Sequence, residues 1–342
     1  MQLLKELCET SAIAGREQPM IDLMTRELKK TCDEVSVDGM GNVIGLKRAK
    51  KKGAKKVMIA GHMDEIGFIV THIDKSGFIR FAPRGGHAPR VLISQRVLIK
   101  GRKDVLGVVE GSPWLMKRED MQKVPDLKDL FIDAGLTHKE LAKLIGVGDI
   151  IVLDRGFVEQ GGALISKAFD DRIGCYVVLE AMRRIRKPDA DIYAVGTSQE
   201  EVGIRGAIGA ARTVVPDIGI AVDITLACDT PGVPEHAQIT QLGGGVAIKI
   251  NDMASISNHG IVEHLKNLAR RNKIKYQMEV LPFGGTDARG MQWFGEGPVC
   301  TLSVPTRHAH SPNELIHKKD VEATIKLLVK FLENVSSCRL EF

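Results

Sequence analysis

Several side chains able to bind a metal or move a proton stand where strands and helices of this sequence end. His62 follows the apolar run Val57–Gly61, and Glu200 and Glu201 follow Asp191–Val195. Asp223 closes Asp217–Val222, and His308 and His310 follow Val299–Val304. Asp170 and Asp171 precede the helix Arg172–Lys187, where a carboxylate serves equally well as an N-cap. Taken singly, a histidine at a strand end is more often a hydrogen-bonded structural residue, and each acid reads as surface charge. As a set they suit imidazole and carboxylate ligation of zinc, cobalt or manganese, without the cysteines of a structural zinc site. Five ligands are few for two separate sites. They suffice for a cluster of two metals ~3.5–4 Å apart that shares one carboxylate, with a further acid left as general base. The chemistry implied is hydrolysis. Asp64, two residues beyond His62, suits a partner that orients the imidazole.

The surrounding pattern supplies the elements that must hold these groups. In an open α/β sheet, loops beyond the carboxyl ends of parallel strands line the binding crevice. Leu3, Leu4 and Leu7, then Met20, Ile21, Met24 and Leu28, repeat at helical spacing. Val35–Val37 and Asn42–Leu46 read as a hairpin about Asp38–Gly39. From Phe68 the texture changes to short strands with tight turns: Phe68–Ile73, Phe78–Phe81, Val97–Lys100, Val105–Val109 and Ile150–Leu153. That pattern predicts a small β-barrel or sandwich, with a charged, partly helical stretch at Lys117–Leu144. After Ile165, helices at Arg172–Lys187, Gly206–Val214, Ile261–Arg271 and Val321–Leu332 alternate with five further strands. The expected fold is therefore α/β, a mostly parallel mixed sheet sandwiched by helices. Residues 1–68 and 164–342 would form the catalytic domain, and 69–163 an inserted β-barrel-like domain.

Composition narrows the function classes. A net charge of +5 over 342 residues is mild. Basic residues concentrate only at Lys47–Lys56, and without neighbouring aromatics that run reads as a solvated loop rather than a nucleic-acid surface. Met1–Leu7 carries early charge, and no apolar run is long enough to span a membrane. The six cysteines share no close spacing, as expected of thiols in a reducing compartment. The expectation is a cytoplasmic protein that binds neither nucleic acid nor membrane.

In motif and order the chain resembles the tetrahedral aminopeptidases, dinuclear metallopeptidases also known as cellulase M or endoglucanase. The stretches that carry the likeness are Gly61–Gly67, Lys167–Gly174, Ser198–Gly203, Asp223, Gly284–Ala288 and Pro305–Glu314. The resemblance implies that His62 and Asp223 bind one metal, Glu201 and His310 the other, and that Asp170 bridges them. It makes Glu200 the general base and acid and has Asp64 orient His62. It thereby chooses Asp170 over Asp171, Glu200 over Glu201 as base, and His310 over His308, which spacing leaves tied on one face of an extended segment. It further implies two divalent ions per subunit, zinc or cobalt, a water nucleophile, and short peptides with free N-termini as substrates. The insert is expected to dimerise and to build homo-oligomers up to a dodecamer. Trp114, in Ser112–Trp114, and Gly244–Val246 depart from the family pattern, where histidine and Gly-Pro are usual. Glu65 has no assigned role.

Two rival readings are a glycoside hydrolase and a non-catalytic scaffold. The first needs two carboxyl groups ~5–5.5 or 6.5–9.5 Å apart across a sugar, and it leaves both histidines idle. Aromatic residues make up only 4% of the chain, too few for the platforms of a sugar site. The second sits poorly with a full set of ligand positions.

Overall fold

The computed structural model describes residues 1–111, 124–295 and 297–342; Trp114 and part of the stretch from Lys117 lie outside them. Helices α1 (Gln2–Glu9) and α2 (Gln18–Leu28) lead into strands β1 (Glu34–Val37), β2 (Val43–Lys47) and β3 (Lys56–His62). The basic stretch between β2 and β3 is largely exposed. Next come β4 (Gly67–Ile73), β5 (Ile79–Arg84), the single turn α3 (Pro89–Leu92), β6 (Arg96–Lys100), β7 (Asp104–Glu110), β8 (Phe131–Asp133), α4 (His138–Leu144) and β9 (Ile150–Leu153). The chain continues through β10 (Val158–Gln160), β11 (Ala163–Ser166), α5 (Phe169–Arg184), β12 (Asp191–Thr197), α6 (Arg205–Val214) and β13 (Ile218–Leu226). It closes with β14 (Val246–Asn251), α7 (His259–Arg271), β15 (Tyr276–Val280), α8 (Asp287–Phe294), β16 (Val299–Arg307), β17 (Glu314–His317) and α9 (Lys318–Leu332).

Eleven strands form one mixed sheet in the order β1-β2-β12-β3-β13-β16-β17-β11-β10, with β14 and β15 branching from β16. Its centre, β12-β3-β13-β16, is parallel, and the flanking pairs are antiparallel. Both faces are covered, so alternate residues of one strand feed different cores. Val57 and Ile59 pack beneath α1, α2, α5, α7 and α9, whereas Met58 and Ala60 pack against α6 and α8. That is why β3 reads as a continuous apolar run rather than an alternating one.

Strands β4-β5-β8-β7-β6-β9 close into an antiparallel barrel with its own core, centred on Phe68, Val70, Val97, Ile99, Ile132 and Ile151. Only Met63–Ile66 separate the barrel from the last residue of β3. Strands β10 and β11 belong to the large sheet, where β11 pairs with β17. Neither β10 nor β17 is legible from the sequence, because each is too short to show a period. All six cysteines are free. No helix of the described residues is long and apolar enough to cross a membrane.

At the Gly244–Val246 departure, Val246 donates its amide to Lys275 O at 3.2 Å. A proline there would lose that bond.

Candidate metal centre

Parallel strands of different length bring the site together. β3 ends at His62, in register with Thr197 of β12. β13 stops pairing with β3 at Ala221 but stays on β16 as far as Leu226. Asp223 therefore lies inside a longer strand rather than ending one, because β16 carries β13 past the end of its other neighbour. α5 enters beside β3 through two glycines. A Cβ on Gly61 would stand 2.6 Å from the Gly174 carbonyl carbon, and one on Gly174 would stand 2.5 Å from Val222 O. Only this close approach puts the start of the helix within reach of His62.

The two aspartates there divide their tasks. Asp171 caps the helix, accepting from Gly174 N at 2.8 Å, and its other oxygen accepts from His62 N at 3.0 Å. Asp170 turns the other way, with Oδ1 3.0 Å from His62 Nε2 and Oδ2 3.1 Å from His310 Nε2. His308 and His310 do not share a face of extended chain. β16 has ended at Arg307, and both residues adopt left-handed backbone (φ 58° and 56°) in the following turn. The turn aims His310 at Asp170 and Glu201, while His308 lines a neighbouring cleft.

Potential ligand atoms thus gather in two overlapping groups, His62–Asp170–Asp223 and Asp170–Glu201–His310, each with its atoms within 4.8 Å of one another. Glu200 Oε2 lies 4.0 Å from His62 Nε2. The seven side chains singled out in the sequence are all here, but Asp64 is used differently. The imidazole Nδ1 meets the Asp64 backbone carbonyl at 3.0 Å, and the carboxylate is farther off at 3.7 Å. That carboxylate instead accepts the amides of Glu200 (3.0 Å) and Glu201 (3.1 Å), fixing the turn that presents both glutamates.

Two residues that sequence reasoning left without a role are built into the surroundings. Glu314 is buried in β17 and accepts the His310 amide at 2.9 Å and the Asp170 amide at 3.0 Å. One carboxylate thereby holds the backbone of both residues. Its only sequence signal is its place at the end of the family-like stretch Pro305–Glu314. Glu65 pairs with buried Lys167 and accepts the Ala12 amide at 3.2 Å. Arg172, fully buried, reaches Glu65 at 3.5 Å and donates to the carbonyls of Leu7, Thr10 and Ala12. Together they clamp the N-terminal segment beneath the site.

The electrostatics fit a cation. Burial opposes the charged imidazoles, yet the Asp170 hydrogen bonds and neighbouring carboxylates outweigh it. They hold His62 well above its ordinary value and push His310 up to about 10. Asp170 is itself held below the carboxylate range by the two imidazoles, against the effect of its burial. Burial, then the Asp170 charge, pushes Glu201 and Asp223 up to about 8. Burial likewise raises Glu200 well above the usual range, with Glu201 adding to it and His62 opposing. The protein alone must keep shared protons among these groups. Glu201 Oε1 is buried and has no hydrogen-bond partner among the described residues. Hard carboxylate oxygens with two imidazoles are the donor set of a divalent first-row metal, which would replace those protons.

A sequence profile of the M42 glutamyl aminopeptidase family matches residues 41–327, a span that holds every one of these side chains. The chain belongs to the M42 family. An M42 member is a peptidase, an aminopeptidase that uses divalent metal. The lysyl aminopeptidase of Pyrococcus furiosus is 36% identical over 344 residues, covering 98% of this M42 chain and 97% of the relative. The structure of aminopeptidase APDkam598 from the archaeon Desulfurococcus kamchatkensis superposes with a TM-score of 0.94 at 39% identity, covering 99% and 97% of the two chains. The TET1 peptidase of Pyrococcus horikoshii, described as assembling into a tetrahedron or a large octahedral shell, gives 0.86 at 28% identity over 97% and 98%.

Proposed function

We propose that the chain removes N-terminal residues from short peptides at a centre of two divalent ions. His62 and Asp223 would hold one ion, Glu201 and His310 the other, and Asp170 both. The observation that carries this reading is the Asp170 carboxylate, with one oxygen turned to each imidazole. When bound, such ions supply Lewis acidity and lower the pKa of water to about 7. Zinc and cobalt both suit the donor set.

The protein's own part begins with Glu200. Poised at the mouth of the ligand set, it takes the proton of the attacking water and later returns it to the leaving amine. Burial raises its pKa above the usual carboxylate range, the direction that favours this return. Asp64 holds Glu200 in place through the backbone, and the Asp64 and Gly86 carbonyls fix the two imidazole rings. The free α-amine of the substrate would sit among the remaining carboxylates, which restricts cleavage to the first peptide bond.

We assign the large sheet and its helices to the catalytic domain, which adds β10 and the start of β11 to the expected 1–68 and 164–342, and the barrel to an insert that serves assembly. The shells described for the P. horikoshii relative support a homo-oligomer, a dodecamer built from dimers being the simplest tetrahedral form. Six free cysteines favour the reducing cytoplasm.

The test is metal analysis coupled to aminoacyl chromogenic substrates, with and without chelator. About two ions per chain, and activity lost on chelation and regained with zinc or cobalt, are expected. Activity indifferent to chelation would refute the proposal.

A further inference from the structure

The cavity that holds the ligand set has a volume of about 370 Å³. Beyond the carboxylates and imidazoles it is walled by Ile224, Leu226, Leu281 and Phe283, and by a single lysine, Lys249, among the described residues. If the scissile carbonyl and the α-amine lie at the ligand set, the side chain of the N-terminal residue occupies this remainder. Lys249 would ordinarily invite an acidic side chain. Here its charge is already spent.

Lys249 and Glu279 are direct neighbours across the parallel pair β14–β15, and their charged groups lie 3.1 Å apart. Asp252 Oδ2 stands 3.2 Å from the same ammonium, and Asp252 is itself fixed by the amides of Ala254 (2.9 Å) and Ser255 (2.7 Å). All three side chains are buried, so neither carboxylate can swing away to water. Two carboxylates therefore face one ammonium. An acidic substrate side chain would have to shed its water and approach a cation that has no charge to spare. A basic one meets the ammonium first, because neither Glu279 nor Asp252 reaches the cavity lining.

Resting on the aminopeptidase reading above, we infer that this chain prefers an uncharged, apolar N-terminal residue such as leucine or methionine, and that Glu279 and Asp252 enforce this by neutralising Lys249. The preference is thus neither lysyl nor glutamyl, and it is set by a buried ion triad one layer behind the pocket wall.

The experiment is a panel of aminoacyl p-nitroanilides (Leu, Met, Glu, Asp, Lys, Arg) on the metal-loaded enzyme. The kcat/KM for Leu and Met should exceed that for the charged residues by about a hundredfold, the scale at which a pocket rejects a mismatched side chain. Glu279→Gln combined with Asp252→Asn should then raise the Glu-to-Leu ratio by about tenfold by releasing Lys249, and adding Lys249→Met should abolish that rise. Circular dichroism checks that each variant is folded. Wild-type turnover of Glu or Lys substrates at or above the Leu rate overturns the inference, as does an unchanged ratio in the folded Glu279→Gln, Asp252→Asn double variant. Should the double variant not fold, the wild-type panel still decides. Turnover of no anilide at all sinks the aminopeptidase reading and this inference with it.

Discussion

His62 and His310 stand on opposite sides of one carboxylate and are oriented in the same way. Each gives its Nδ1 to a backbone carbonyl, Asp64 O at 3.0 Å and Gly86 O at 2.9 Å. Each then points Nε2 at a different oxygen of Asp170. A ring held at Nδ1 by a carbonyl has Nε2 left for a metal. The first carbonyl comes from the short segment that follows β3 and the second from the loop after β5, so the barrel takes part in shaping the centre.

Glu200→Gln should retain both ions yet lower kcat by about 10²–10⁴-fold, the range for loss of a general base. Metal content by elemental analysis and turnover of a chromogenic substrate check this together. Near wild-type turnover would mean that another group moves the proton.

Glu314→Gln should weaken metal binding by about 10–100-fold, as loss of a supporting partner does at other metal centres. An amide cannot accept two backbone N–H groups with both of its ends, so either Asp170 or His310 loses its anchor. Calorimetric titration of the apoprotein with zinc reads this directly, and affinity equal to wild type would leave Glu314 a merely structural acid.

The pH dependence follows from the direction of the shifts. Glu201 and Asp223 are raised to about 8 from 4.5 and 3.8, and His310 to about 10 from 6.5, so the folded metal-free chain binds more protons than the unfolded one. The stability they contribute is complete below the unfolded values. It is lost as pH rises from about 4 to 8 through the carboxylates and from 6.5 to about 10 through His310. Thermal melts of chelated protein should fall across pH 5 to 9 on this account. Metal binding should conversely tighten with pH and release protons, measurable by calorimetry in buffers of different ionisation enthalpy.

Arg172→Met should cost about 3–5 kcal/mol, the penalty for removing one partner from a buried ionic cluster. The loss includes three carbonyls, those of Leu7, Thr10 and Ala12, left without their donor. Urea denaturation of the chelated protein measures it, and a change below about 1 kcal/mol would show that the N-terminal segment is held by other contacts.

Much of this protein is legible without coordinates. The continuous apolar run of β3, the helical spacing of α9 and the tight turns after Phe68 are local signals, and each produced an element near its expected place. Acids and histidines at strand ends could likewise be marked, since parallel strands present their ends on one side of a sheet. What stayed open were choices between near neighbours. Whether Asp170 or Asp171 enters the site depends on which one the helix needs as its cap, and on two glycines that let the helix approach β3. His310 differs from His308 through a left-handed turn that no period announces. Asp64 holds the backbone of Glu200 and Glu201, 136 and 137 positions away, Glu314 holds that of Asp170, 144 positions away, and Lys249 is neutralised in part by a strand neighbour 30 residues on. Chemistry at a single position can be read from residue type and spacing. Partnership between positions distant in sequence is decided only when packing brings them within a hydrogen bond's length, and here that partnership sets the geometry and charge of the site.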